Sequence, residues 1–331
     1  MKIVIPGGTG QVGTLLARAF ARDGHEVVVL SRNPPSAAPW RIVNWDASSI
    51  GGWTDELECA DVVVNLAGRN VNCRYTPYNR RVIMDSRVNS ARVVGEAIAR
   101  CGRPPRIWLQ ASTATIYAHR FDAPNDEATG ILGGSEPDAP DTWRFSIDVA
   151  TSWERAACAV ELRHTRRVLL RSAITFNPDH GSAFDILLRL VRLGLGGRSG
   201  NGLQYVSWIH ETDFIRAVYW LIEKDSIEGA VNLASPNPLP NAEFMRTLRE
   251  EWGTRVGLPS PGWLLEIGAL AIRTETELLL KSRRVVPGIL ARRGFMFEFP
   301  AWRGAARDLC GRWRESNGAA NSRAKPAANS S

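Results

Sequence analysis

Residues 2–13 read Lys2-Ile3-Val4-Ile5-Pro6-Gly7-Gly8-Thr9-Gly10-Gln11-Val12-Gly13. The apolar run Ile3 to Ile5 enters a glycine turn, and apolar residues at helical spacing follow it: Val12, Leu15, Leu16, Ala19 and Phe20. A second apolar run, Val27-Val28-Val29-Leu30, begins just after Asp23-Gly24. The order strand, turn, helix, strand predicts a βαβ unit at the start of the chain.

The glycines satisfy two overlapping spacings, Gly7-x-x-Gly10-x-x-Gly13 and Gly8-x-Gly10-x-x-Gly13. Gly7 and Gly8 permit a tight turn, Gly10 lets backbone approach a pyrophosphate, and Gly13 lets the helix lie against the sheet. The helix beginning at Gln11 and Val12 supplies N–H donors and positive potential to an anion. A dinucleotide is therefore the expected ligand of this turn. At the end of the second strand, where NAD enzymes place an Asp or Glu for the ribose 2′-hydroxyl, the chain has Ser31-Arg32. A hydroxyl and a cation suit a 2′-phosphate, so NADP(H) is favoured over NAD(H), with a solvated surface arginine as the plain alternative.

Strands and helices continue to alternate. Arg41 to Asp46 reads as a third strand, with Asp46 placed to meet an adenine edge, and Asp61 to Gly68 as a fourth. The small ending Leu66-Ala67-Gly68 leaves room for a ribose at the carboxyl edge of the sheet. A helix over Tyr78–Arg100, a fifth strand over Arg106–Ala111 leading into Ser112-Thr113, a helix over Thr142–Glu161 and a sixth strand at Val168–Arg171 complete a doubly wound parallel α/β pattern. The expected division is a Rossmann-type cofactor domain over 1–175, completed by 211–235, and a smaller, mostly helical substrate domain from 176–210 and 236–313. A helix is expected at Thr274–Ser282, and 314–331 reads as a disordered tail.

The chain of 331 residues is 44% hydrophobic, enough for a sizeable core, and carries a formal net charge of +7. Its basic residues are nearly all arginine, scattered among acidic ones without a repeated aromatic pattern, which argues against nucleic acid. No run approaches the roughly 18 apolar residues of a membrane span, and no leader peptide is read at the start, so the expected location is cytoplasmic. The five cysteines, Cys59, Cys73, Cys101, Cys158 and Cys310, form no C-x-x-C pair and suggest reduced thiols and no metal site.

The ordered series Gly7-Gly8-Thr9-Gly10, Ser31-Arg32, Asn65-Leu66-Ala67-Gly68, Ser86-Arg87, Gly194-Leu195-Gly196-Gly197, Gly200-x-Gly202-x-Gln204, Trp208-Ile209-His210-x-x-Asp213, Arg284-Val285-x-Pro287 and Gly294-Phe295-x-Phe297 resembles the extended short-chain dehydrogenases/reductases. More narrowly, it resembles the "epimerase family" of NAD(P)-binding, nucleotide-sugar-epimerase-like proteins with a small C-terminal DUF1731-like domain. The resemblance implies that Arg87 joins the cofactor site, that the substrate is a small molecule, and that a homodimer is an option. Two departures stand out: Arg74-Tyr75 where the family usually has Arg-Trp, and Asn177-Pro178-Asp179-His180-Gly181 in place of a glycine-rich phrase.

The same resemblance implies a catalytic Tyr with a Lys four residues later on one helix face, the cation favouring phenol ionisation. Here those positions fall on Ser146 and Ala150. No Tyr occurs between Tyr117 and Tyr205, and no Lys between Lys2 and Lys224, so the pair is missing. Thr113 stands at the family's substrate-orienting hydroxyl position, with strand-end backbone capping as the equal alternative. Tyr117 is the nearest remaining phenol. His119 and His210 are the nearby imidazoles, and Asp148 and Glu154 read as a solvated helix face. Two function classes follow. One is an NADP(H)-dependent oxidoreductase or epimerase of atypical mechanism acting on a small carbonyl, hydroxyl or nucleotide-sugar-like compound; the other is a non-catalytic NADPH-binding protein that acts through a protein partner.

Overall fold

The apolar runs of the first two strands are buried on both faces, which only a sheet covered by helices on each side allows. The computed structural model describes residues 1–35, 37–137, 139–259 and 281–323, the last helix by backbone alone beyond residue 317. Strand β1 (Lys2–Pro6) leads through the glycine turn into helix α1 (Gln11–Arg22) and strand β2 (Glu26–Ser31), followed by β3 (Arg41–Asn44) and β4 (Val62–Asn65). Helix α2 (Pro77–Arg100), β5 (Ile107–Thr113), α3 (Asp141–Cys158) and β6 (Arg166–Ser172) continue the alternation. The order across the sheet is β10-β6-β5-β4-β1-β2-β3, where β10 is Gly229–Leu233, and every pairing is parallel.

Strand alternation divides the core in two. Ile3, Ile5, Val27 and Val29 pack with Leu16 and Phe20 of α1 on one face; Val4, Val28, Val63 and Trp108 pack with Val94 of α2 and Trp153 of α3 on the other. A separate aromatic core, with Phe176, Phe184, Trp208, Phe244 and Trp302, builds the second lobe. That lobe carries β7 (Ile174–Phe176), α4 (Ala183–Arg192), β8 (Tyr205–Val206) and β9 (Trp208–His210) before the chain returns to the sheet through α5 (Glu211–Glu223) and β10. It continues with β11 (Leu239–Pro240), α6 (Asn241–Trp252), a short α7 (Gly288–Arg292) and a long α8 (Trp302–Arg323).

Two expectations for the C-terminal region meet the described residues only in part. Helix α8 runs through Arg323 where irregular chain was expected from residue 314, and 324–331 fall outside the described residues. The helix expected at Thr274–Ser282 also lies outside them, except for its last two residues. Among the described residues no helix is long and apolar enough to cross a membrane, and no cluster of three metal-ligating side chains occurs.

Candidate functional site

Two adjoining concavities lie at the carboxyl ends of β1, β2, β4 and β5. The outer one, of about 250 Å³, is bordered by the glycine turn (Gly7, Thr9, Gly10), by Ser31-Arg32-Asn33, by Trp45 and Ala47, and by Leu66-Ala67-Gly68 and Ser86. Gly7 sits at φ 77°, and a Cβ there would stand 2.6 Å from the Ala67 Cα, so both its conformation and its contact demand glycine. At Gly13 a Cβ would lie 2.5 Å from the Gly8 Cα, which is how α1 comes to rest on the turn. Gly10 is the N-cap of α1 and offers no side chain to its first N–H groups, which leaves them for an anion.

Ser31 is buried and holds its hydroxyl 3.2 Å from that of Thr9, tying the glycine turn to the end of β2. Arg32 beside it is exposed and makes no ion pair with any described residue. The open N–H groups of the glycine turn and the Arg32 cation therefore border one concavity, and the residues present fit a phosphorylated dinucleotide. Six of the sequence candidates are not among the lining residues: Gly8 and Gly13, which pack against each other beneath the turn, Arg87, which borders the neighbouring cavity, and Asp46, Gln11 and Val12. Asp46 closes its own turn by accepting from the Ser48 and Ser49 N–H groups and the Ser49 hydroxyl, hydrogen bonds that hold it well below the usual carboxylate range. Gln11 donates to the Gly181 carbonyl at 2.8 Å, and Val12 lies within α1 without bordering the concavity.

The inner concavity, about 120 Å³, begins where the outer one stops: Ser86 borders one and Arg87 the other. Thr113 and Thr115 enter it from the end of β5 and the turn beyond. Helix α3 presents Ser146, Val149 and Trp153, a stripe at i, i+3 and i+7, with Phe145 beside it. Tyr75, Val71 and Ile83 form the opposite wall, and Arg283 arrives from the C-terminal region. No carboxylate is among these residues.

Thr113 fills both of its expected positions. Its Oγ1 accepts from the Thr115 N–H at 3.2 Å, capping the strand end, while the residue also borders the cavity. Tyr117 does not border it. Its ring is 3% exposed, and its hydroxyl donates to Asn232 Oδ1 and accepts from Arg171 Nη1, each at 2.9 Å. Burial raises its pKa against the opposing pull of Arg171. Glu154 is no solvated face: it grips Arg171 through two bonds of 2.8 Å and accepts from Ser112 Oγ at 2.5 Å, whereas Asp148 is exposed. Ser146 borders the cavity, while Ala150 is fully buried against Ile116, Tyr117 and Val285.

The imidazoles are structural. His210 caps α5, its Nδ1 accepting from Thr212 N–H and its Nε2 facing Asp308 at 3.0 Å. His119 accepts from the Ser282 N–H and stacks near Trp143. Sequence reasoning passed over Tyr75, Arg283 and Trp153. The departure at Arg74-Tyr75 was the one visible signal, since it puts a phenol where the family usually has an indole. Lys281, buried, donates to the Thr115 carbonyl at 2.9 Å, so a lysine does reach this neighbourhood from 166 residues away.

With this geometry in view, comparison with known proteins is informative. Residues 3–234 match the NAD dependent epimerase/dehydratase family, and residues 260–309 match a domain of unknown function, DUF1731. A human protein named epimerase family protein SDR39U1 is 30% identical over 93% of this chain and 99% of its own length. The crystal structure of that human protein (isoform 2) with NADPH superposes with a TM-score of 0.80 at 28% identity, covering 94% of this chain and 99% of that one. A nucleoside-diphosphate sugar epimerase from Corynebacterium glutamicum gives a TM-score of 0.73 at 25% identity, over 98% of this chain and 61% of that one. The chain belongs to the NAD dependent epimerase/dehydratase family.

Proposed function

We propose that the chain binds NADP(H) in the outer concavity and serves as an oxidoreductase for a small carbonyl or hydroxyl compound in the inner one. The observation that carries this reading is the junction at Ser86-Arg87, which sets a largely apolar cavity bearing Thr113, Thr115 and Ser146 beside the cleft bordered by the glycine turn. The human relative's structure with NADPH supports the choice of cofactor, as do Ser31 and Arg32. Gly7, Gly8, Gly10 and Gly13 would shape the pyrophosphate cradle, Thr9 and Ser31 would brace it, and Leu66-Ala67-Gly68 would floor the ribose. When bound, the nicotinamide supplies or accepts hydride.

The proton falls to the chain's own residues. Thr113 Oγ1 accepts from backbone, which leaves its O–H to donate into the cavity toward a substrate oxygen. Tyr75 brings a phenol to the same cavity, and its ionised form would support the nearby Arg87 charge. Tyr75 therefore replaces Tyr117 as the proton-exchanging candidate, because Tyr75 borders the cavity and Tyr117 does not. A non-catalytic NADPH-binding role acting through a partner is the second reading, and the loss of the Tyr/Lys pair at Ser146 and Ala150 favours it.

Anaerobic incubation with NADPH and a panel of small carbonyls, followed by nicotinamide absorbance, separates the two. Consumption that falls about 10²-fold or more in Tyr75→Phe, the contribution expected of a positioned proton donor, supports the oxidoreductase. Thr113→Ala should lower it as well. Tight NADPH binding with no consumption across the panel would leave the second reading standing.

A further inference from the structure

The arginines around the inner cavity differ in how their charge is met. Arg171 is clamped by Glu154, and Arg80 pairs with Asp141. Arg87 has no carboxylate partner among the described residues. Its one protein hydrogen bond is from Nη1 to the Ile83 carbonyl at 3.2 Å, and its guanidinium lies 5.1 Å from the Trp153 ring centroid. Burial lowers its pKa to about 10, which still leaves it charged at neutral pH. A half-buried cation packed between Trp153 and Gly68 without a counter-charge among the described residues is costly to the fold and needs a reason to persist. Its Nε and Nη2 donors have no partner among the described residues, and the residue borders the cavity.

Arg283 brings a second cation to the same cavity wall, and its Nε donates to the Thr115 hydroxyl at 3.2 Å. The other lining groups are aromatic, aliphatic or hydroxylic. The volume, about 120 Å³, is well below the roughly 300–1,000 Å³ of pockets that hold drug-sized ligands. That volume suits a compact molecule rather than a nucleotide sugar held wholly within it.

We infer that Arg87 anchors the carboxylate of a small, flat, largely apolar substrate in the inner cavity, so that the compound turned over is an aromatic or short-chain oxo or hydroxy acid. This rests on the oxidoreductase reading for the turnover but not for the binding. The guanidinium edge meets a planar carboxylate through two parallel N–H···O bonds. Thr113 and Tyr75, on neighbouring walls, then face the carbonyl or hydroxyl at the substrate's other end.

The test is calorimetric titration of the full chain, saturated with NADP⁺, using benzoate, its neutral isostere benzamide, and phenyl phosphate. Benzoate is expected to bind at least about 30-fold more tightly than benzamide, equivalent to about 2 kcal/mol. Arg87→Met should remove about 30-fold of the benzoate affinity and Arg87→Lys should recover part of it, with NADPH affinity measured alongside in each variant. NADPH titration of each variant also reports whether it folds, and the benzoate–benzamide comparison needs no variant at all.

Equal binding of benzamide, tighter binding of phenyl phosphate, or loss of NADPH and benzoate together in both Arg87 variants would each overturn the inference. The last result would assign the cation to the cofactor's phosphates. Selective benzoate binding without turnover of any oxo acid keeps the anchor and removes the oxidoreductase. Indiscriminate turnover of neutral and acidic carbonyls does the reverse.

Discussion

Glu154→Gln keeps the shape of a side chain that ties helix α3 to strand β6 and removes its charge. In the native protein Glu154 and Arg171 are 12% and 11% exposed and share two bonds of 2.8 Å. Burial works against the charge of Arg171, yet the clamp by Glu154 outweighs it and holds the guanidinium above its ordinary range. The amide leaves one acceptor for two donors and turns an NH₂ toward the guanidinium, so Arg171 is buried and uncompensated. Breaking one partner of a buried pair costs about 3–5 kcal/mol. About 3 kcal/mol is expected here, because a tenth of each side chain still reaches solvent. Urea denaturation followed by tryptophan fluorescence measures it, with the slope against denaturant compared between the proteins. A companion variant, E154M/R171M, should recover most of the loss, since a well-packed apolar pair often matches an ion pair in the interior. A loss below about 1 kcal/mol at unchanged slope, or a double variant no more stable than E154Q, would refute the reasoning.

Two further outcomes can be measured on the same material. Arg32→Asp should lower NADPH affinity about 10–100-fold relative to NADH, because a charge-assisted contact of about 1.5–3 kcal/mol is replaced by repulsion; paired binding titrations check the ratio, and unchanged selectivity refutes the role. Burial, only partly offset by Asp308, lowers the His210 imidazole to about 4. The fold therefore holds it neutral, its contribution is complete above about pH 6.5, and about 2 kcal/mol is lost by about pH 5. His210→Asn should flatten that part of the stability–pH curve, and an unchanged slope would count against it.

The fold was legible because its signals are local. Apolar runs at Ile3–Ile5, Val27–Leu30 and Val62–Val64 need only be read for length and flanking glycines to give parallel strands, and Gly7 declares a backbone that no other residue would adopt. The cavity was less legible because its walls are assembled by contacts between distant residues. Tyr75, just before α2, and Trp153 of α3 border one cavity, and Arg283 arrives from beyond residue 280, so no spacing rule links them. Tyr117 and Glu154 show the complementary failure. Both stand where the resemblance or the helix phase suggested chemistry or solvent, yet both are committed to Arg171, whose position on β6 only the folded sheet reveals.

The return of the chain to the sheet sets how this protein can be divided. β10 pairs with β6 along its whole length, Gly229–Leu233 against Val168–Ser172, after the chain has passed through the second lobe over 174–210 and back through α5. A polypeptide ending at residue 210 would leave β6 as a bare, largely apolar edge, a ready template for intermolecular strand pairing. The nucleotide-binding half is thus not an autonomous module that a shorter gene could encode; the outermost strand reaches its place only after the intervening lobe has been made, so translation must pass residue 233 before the sheet is sealed against aggregation.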